Sequence, residues 1–408
     1  MNKLTYKLAT GLATTAVLAF GLVPFAFADT GIGVNGNGAF SDNKVKVTNN
    51  NPTTVQQNNV SNITNKVNTN QNTGGNSADF NTGGSVNIST GDANSNVNIN
   101  NQAGQNKAVV AGVGNGDNNV QLAGNGAFSS NNVKLNNNNA VALSQNNNTN
   151  INNKVNTNQN TGNNSANFNT GTNVSINTGS ANATTNINNQ AGSNFATVYN
   201  GQSSNDNLVG VEGNGAFSNN NVGITNAANT YLKQGNNTNF NNYVNTFQNT
   251  GNNNASFNTG GSVSINTGSA NSDVNISNQA GENKALVGGL GSYNTTWADV
   301  SGNGAFSTNR VNINNNSREK LSQNNYTNIN NNVNTKQNTG KNNANFNTGY
   351  QPMYFSGKNY GYQGGYGTFP NYNNWGGCGG GSTSINTGSA NSQTNLNNQA
   401  NKNFAAIY

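Results

Sequence analysis

The sequence predicts an all-β protein: a β-solenoid of about four units of roughly 89 residues, each about four short coils. Three observations carry this expectation. The hexapeptide GNGAFS begins at Gly36, Gly124, Gly213 and Gly302, so one pattern returns at offsets of 88, 89 and 89 residues. Inside each unit, runs such as VKVT, VNIN and VSIN alternate apolar and polar residues, as half-buried strands do, and Asn-Gly and Thr-Gly pairs mark turns. No stretch beyond residue 28 keeps apolar residues three or four apart, so no helix is expected.

Taken in order, residues 1–28 read as a signal peptide. Lys3 and Lys7 precede a long apolar run that ends in Ala26-Phe27-Ala28, the small-residue pattern of a cleavage site. An uncleaved run of this length would instead anchor the chain in a membrane, the only membrane contact the sequence suggests. Residues 29–35 form a short lead. Four repeats follow at 36–123, 124–212, 213–301 and 302–408, the last carrying an insertion at 350–381 and ending early. Turn signals divide the first repeat into 36–56, 57–80, 81–102 and 103–123, each near 22 residues. Sixteen such coils at about 4.8 Å would build a rod of roughly 75–80 Å. Val, Ile, Phe and Ala would face inward, with Phe168, Val174 and Ile176 typical core members, and Asn and Thr would stack in register.

Composition limits the chemistry. Asn accounts for 108 of 408 residues and Gly for 50, which leaves disorder as the alternative to a stacked fold. Beyond the leader, 17 − 2 = 15 basic side chains face 11 acidic ones, too thin a spread for a nucleic-acid surface. There is no His, and no Gly-Lys-Ser/Thr run, so no imidazole metal site, His-based triad or P-loop is available, and no cofactor or metal is expected. Acidic residues fall at unrelated repeat positions, which argues against a regular calcium array. Asp299 with Glu319, or Glu212 with Asp206, could be nominated as a carboxylate pair, but nothing in the sequence ties either pair together, and no catalytic residue is assigned.

One spacing recurs in every repeat. Gln71, Gly74, Asn76 and Ala78 return as Gln159, Gly162, Asn164 and Ala166, then as Gln248, Gly251, Asn253 and Ala255, and as Gln337, Gly340, Asn342 and Ala344. A shorter version runs through Gln102, Gly104, Asn106 and Ala108, through Gln190, Gly192, Asn194 and Ala196, and through Gln279, Gly281, Asn283 and Ala285. At the end Gln399, Asn403 and Ala405 keep it, with Asn401 in the glycine place. This pattern resembles the curlin repeat of bacterial curli fibre subunits, Gln-x-Gly-x-x-Asn-x-Ala. The first version moves the Gly by one place and the second is one residue shorter. The resemblance implies Gln and Asn ladders in an amyloid-like β-solenoid that polymerises outside the cell. It makes the Gln and Asn members of both versions, Gln71 through Asn342, candidate ladder and assembly positions.

The insertion differs from the rest of the chain. Tyr354, Tyr360, Tyr362, Tyr366, Tyr372 and Trp375 lie on a Gly-rich backbone, either as a contact loop for glycans or proteins or as a loop without a dedicated ligand. Cys378, the only cysteine, is either an intermolecular cross-link or a free thiol. The functional expectation is an exported, non-enzymatic structural protein of the cell surface or biofilm matrix that self-associates into fibres. The alternatives are an adhesin presenting the 350–381 loop, and an ice-binding protein using Thr ladders from the NTG triplets.

Overall fold

Residues one repeat apart lie side by side. Val45 pairs with Val133, Val133 with Val222 and Val222 with Val311, always in parallel and without slippage. A parallel in-register step places like on like, so it is stable only at an offset where the sequence repeats itself; here that offset is 88 or 89 residues. The computed structural model describes residues 6–11, 30–111, 117–200, 206–289, 296–348 and 382–407.

The first rung holds β2 (Thr30–Asn35), β3 (Asp42–Asn72), β4 (Val86–Ser89) and β5 (Ala93–Ala111). The second repeats them as β6 (Asn118–Ala123), β7 (Ser130–Asn160), β8 (Asn173–Asn177) and β9 (Ala181–Asn200). The third has β10 (Asn207–Glu212), β11 (Asn219–Asn249), β12 (Ser262–Asn266) and β13 (Ala270–Gly289). The fourth has β14 (Thr296–Ser301), β15 (Thr308–Asn338), β16 (Thr383–Asn386) and β17 (Ala390–Ile407). Equivalent strands form four parallel sheets, ordered β14-β10-β6-β2, β15-β11-β7-β3, β16-β12-β8-β4 and β5-β9-β13-β17. The last sheet gains β1 (Tyr6–Gly11), from the segment read as a leader, which pairs with β5 from Ser95 to Asn100.

The repeat-built β-solenoid stands, but its coil is the whole unit. The expected subdivision into coils near 22 residues is replaced by one rung per repeat, since strands pair with their copies 88 or 89 residues away and not with segments of their own repeat. Residues 30–35, expected as a lead, are the first strand of rung one and pair with β6. The proportions change with it. Four rungs at about 4.8 Å stand only ~15 Å high, while the 31 residues of β3 extend roughly 100 Å. The molecule is a thin lamella, not a 75–80 Å rod.

Within a rung the chain doubles back on itself. The start of β3 faces β2, where Ile32, Val34, Val45 and Val47 meet, and its remainder faces β5, where Val67 meets Val97 and Ile99. Ala78, Val86 and Ile88 fill the far turn. Burial alternates residue by residue along almost all of β7, so one face of each long strand is core. That core is cut into five apolar clusters by columns of buried Asn, Gln and Thr.

Phenylalanine departs from expectation. Phe40, Phe128, Phe217 and Phe306, and likewise Phe80, Phe168, Phe257 and Phe346, take φ of 54–65° and are 45–80% exposed. A left-handed residue at a corner breaks the strand alternation and turns its Cβ outward, so these rings leave the core. They stack instead on one another, with centroids 4.8–5.0 Å apart and nearly parallel planes. Phe240, at the inward column of Ile63, Ile151 and Ile329, is fully buried. Val174 and Ile176 are core residues as expected.

Candidate functional site

Buried amides must find partners or cost stability, and here the repeat supplies the partner. Asn76 Nδ2 donates to Asn164 Oδ1 (3.0 Å), Asn164 to Asn253 (2.9 Å) and Asn253 to Asn342 (2.9 Å). Each Nδ2 of this column also donates to a carbonyl three residues back in its own rung, that of Thr73, Thr161, Thr250 or Thr339, so the ladder also ties down the turn after the long strand.

The Asn106, Asn194, Asn283 and Asn403 column makes a second ladder, at 2.9, 2.9 and 3.1 Å. It interleaves with a column that sequence reasoning did not single out: Asn59, Asn147, Asn236 and Asn325 on the facing strands. Asn59 donates to Asn106, Asn106 to Asn147, Asn147 to Asn194, and so on up the stack. A parallel double ladder joins Asn65, Asn153, Asn242 and Asn331 to Asn101, Asn189, Asn278 and Asn398. Asn153 alone joins four such bonds, donating to Asn189 and Asn242 and accepting from Asn65 and Asn101. The signal that could have found these columns was Asn at the same place in all four repeats on the inward phase of a strand.

The glutamines divide. In the Gln71 column, Gln248 donates to Gln159 (3.0 Å) and Gln337 to Gln248 (3.3 Å), while Gln71 Oε1 and Gln159 Nε2 are buried without a partner. Gln102, Gln190 and Gln279 stack in register but sit on the outward phase of their strands, one residue from the inward Asn101, Asn189 and Asn278. A complete glutamine ladder exists elsewhere, through Gln57, Gln145, Gln234 and Gln323 at 2.7–2.8 Å, and it also bridges to carbonyls of the facing sheet.

Glycine and threonine serve the turns. Gly104, Gly192 and Gly281 have φ of 62–68°, and in the fourth rung Asn401 takes the same conformation at 59°, accepting a hydrogen bond from Thr327. Two of the three threonine columns in the NTG triplets point their hydroxyls into the rung. Thr73, Thr161 and Thr250 donate to the carbonyls of Gly91, Gly179 and Gly268, and Thr90, Thr178 and Thr267 to those of Thr161, Thr250 and Thr339.

Titratable chemistry is sparse. Asp79 accepts from Ser77, from the Asn167 amide and from Ser165 of the next rung. Burial pushes its pKa up, but these three donors outweigh that and hold it below the ordinary carboxylate value. Among the described residues no group of three His, Cys, Asp or Glu could hold a metal. Asp299 lies on an outward column of β14, stacked on Gly210, and Glu319 on the inward column of Thr53, Val141 and Thr230 in β15, so they face different spaces; Asp206 and Glu212 bracket the strand β10. The concavities are open grooves along the stack, such as one of about 500 Å³ over Asn98, Asn186, Asn275 and Asn395. The aromatic residues Tyr354, Tyr360, Tyr362, Tyr366, Tyr372 and Trp375, with Cys378, lie outside the described residues. Comparison of the chain with protein-family models, with curated proteins and with solved structures gave no match.

Proposed function

We propose that this chain is an exported, non-enzymatic structural protein of the cell surface or extracellular matrix, and that it self-associates into fibres by stacking β-rungs. One observation carries the reading: rungs one and four are edges of the same interface that holds the molecule together. All 31 residues of β15 pair with β11 on one side, and among the described residues no strand lies on its other side; β3 stands in the same position at the opposite end. Long parallel edges of this kind are templates for further pairing. Polar ladders suit such a role, because each added layer satisfies amides that the previous one left open. The curlin-like spacing of Gln, Gly, Asn and Ala points the same way, and export follows from the leader-like 1–28 segment.

The test is negative-stain microscopy with fibre diffraction on the chain starting at Asp29. Fibres with a reflection near 4.8 Å along their axis are expected. A protein that stays monomeric over a wide concentration range, with no such spacing after drying, would sink the proposal.

A further inference from the structure

Among the described residues four glycine columns run unbroken through the stack; the one from Gly36 to Gly302 has a left-handed φ of 62–69°, and in the other three the neighbouring rung explains the glycine. A Cβ on Gly74, Gly162 or Gly251 would lie 1.9–2.0 Å from a carbonyl oxygen of the rung above. On Gly126, Gly215 or Gly304 it would lie 2.3–2.4 Å from a backbone nitrogen of the rung below, and on Gly179, Gly268 or Gly388 it would lie 2.3–2.5 Å from lower backbone atoms. The terminal member of each of these three columns is different. Gly340 on the upper face, and Gly38 and Gly91 on the lower face, have nothing within 4 Å of that position, and none has a left-handed φ. Neither space nor backbone conformation within one chain calls for glycine there. Other columns do diverge between rungs: Gly75 becomes Asn163, Asn252 and Lys341.

We propose that these faces are covered by a second copy of the same chain, docked head to tail. Rung one of the next copy lies on rung four in the register the rungs keep within a copy. This rests on the fibre reading and specifies its joint. Gly340 then meets Gly74 of the next copy, as Gly251 meets Gly340, and the upper copy's Gly38 and Gly91 meet the backbone at Ala305 and Gly388.

Two independent features agree with that register. The first is amide polarity. In the ladders that start at Asn59, Asn65 and Asn76 each Nδ2 donates upward, so among the described residues these three end the lower face with Oδ1 atoms that accept nothing, while the Asn72 and Gln57 columns run the other way. At the upper face Asn342 accepts from Asn253, and its Nδ2 donates to the Thr339 carbonyl and to no rung above. Donors at one end and acceptors at the other complete each other head to tail and not head to head. The second is an alternating cation–π column. Lys107 lies 5.8 Å from the Phe195 ring, and Lys284 lies 5.6 Å from Phe195 and 5.7 Å from Phe404. Lys107 of the next copy would continue the alternation on Phe404. Such a contact is heterologous and does not close, so it generates a polar fibre rather than a dimer.

The lower edge of β5 carries β1 over Ser95–Asn100, so the test uses the chain starting at Asp29. Gly340→Ala and Gly38→Ala each have room in the single chain and should keep the parent circular dichroism spectrum and melting temperature. Each should lower the fraction of chain in sedimenting fibres by roughly tenfold or more, since a buried backbone clash of even 1.4 kcal/mol changes an association constant that much. Gly31→Ala, on an outward column that reads Gly31, Asn119, Leu208 and Trp297, is the control and should assemble normally. If the parent forms fibres and both Gly340→Ala and Gly38→Ala form them equally well, the joint is overturned while assembly stands. If the parent itself never assembles, the fibre reading fails and this joint with it.

Discussion

Rungs two and three have a neighbour above and below; rungs one and four have one neighbour each, and their sequences differ accordingly. Counted by their strands, rung two carries Lys134 and Lys154, with Asp117 just ahead of β6, and rung three carries Asp206 just ahead of β10, then Glu212, Lys233, Asp273, Glu282 and Lys284. Rung four carries Arg310, Arg318, Lys320, Lys336, Lys341 and Lys402 in its described part, against Asp299 and Glu319. The two end rungs also break pattern at one matching place. Pro52 sits in β3 where the inner rungs have Ala140 and Asn229, and Arg318 occupies that column in β15. Proline is tolerated on an edge strand, where one side of the backbone has no partner. Beside it, Glu319 occupies an inward column otherwise filled by Thr53, Val141 and Thr230. Proline and inward-facing charge are known ways of blunting a sheet edge. The comparison teaches that inner rungs are optimised for contact on both faces, whereas the end rungs combine conserved contact glycines with a local obstacle. The joint proposed between copies should therefore be weaker than a step within one.

The largest expected effect comes from one glycine column. Gly251→Ala forces a Cβ against the Gly340 carbonyl and should cost about 3 kcal/mol or more, or abolish folding, as backbone clashes in a packed core do. Gly340→Ala, with open space above it, should change stability by less than about 1 kcal/mol. Denaturant melts of both variants would measure the contrast, and equal losses would erase the distinction between inner and end rungs.

The next effect is on the ladders. Asn153→Ala removes the hub of four hydrogen bonds and strands amides of three rungs, which should cost about 2–4 kcal/mol. Asn331→Ala at the end of the same column removes one donated bond and the two it accepts at an open face, and about 1 kcal/mol is expected. Amide hydrogen exchange should show the same order, with rungs two and three slowest.

At the Phe columns opposing terms nearly cancel. Phe217→Asn relieves a bulky residue of left-handed strain but loses two ring stacks, so the net change should lie within about 1 kcal/mol. A loss several times larger would mean the rings are buried against something that a single chain does not show.

Asp79 should give the smallest effect. Its pKa is lowered in the folded chain, so its contribution is present above the unfolded value and is lost as pH falls through the folded one. Asp79→Asn should flatten the melting temperature below about pH 4, changing stability by under about 1 kcal/mol for so exposed a group. A pH profile identical to the parent would remove this role.

The long strands were only partly visible in the sequence. Val133, Leu135, Ile151 and Val155 mark the inward phase of β7, but the Asn-rich stretches between them carry almost no hydropathy contrast, so the long strand reads as parts of two short coils. They are strand because each Asn there finds its copy one rung away. The outward swing of Phe168 was not legible either, since an apolar residue in an alternating run gives no sign that its φ is positive. The Gln102 column was nominated by spacing, yet strand phase points it outward and gives the buried place to Asn101.

By itself, the sequence determined the β class and the 88- or 89-residue offset at which the pattern recurs, because alternation and self-similarity are both written in the order of residues. Tertiary structure alone decided that the coil is the whole repeat and which amides face inward. Both depend on where the chain folds back within a rung, and that is decided by long-range packing of β3 side chains against those of β5, beyond any local pattern.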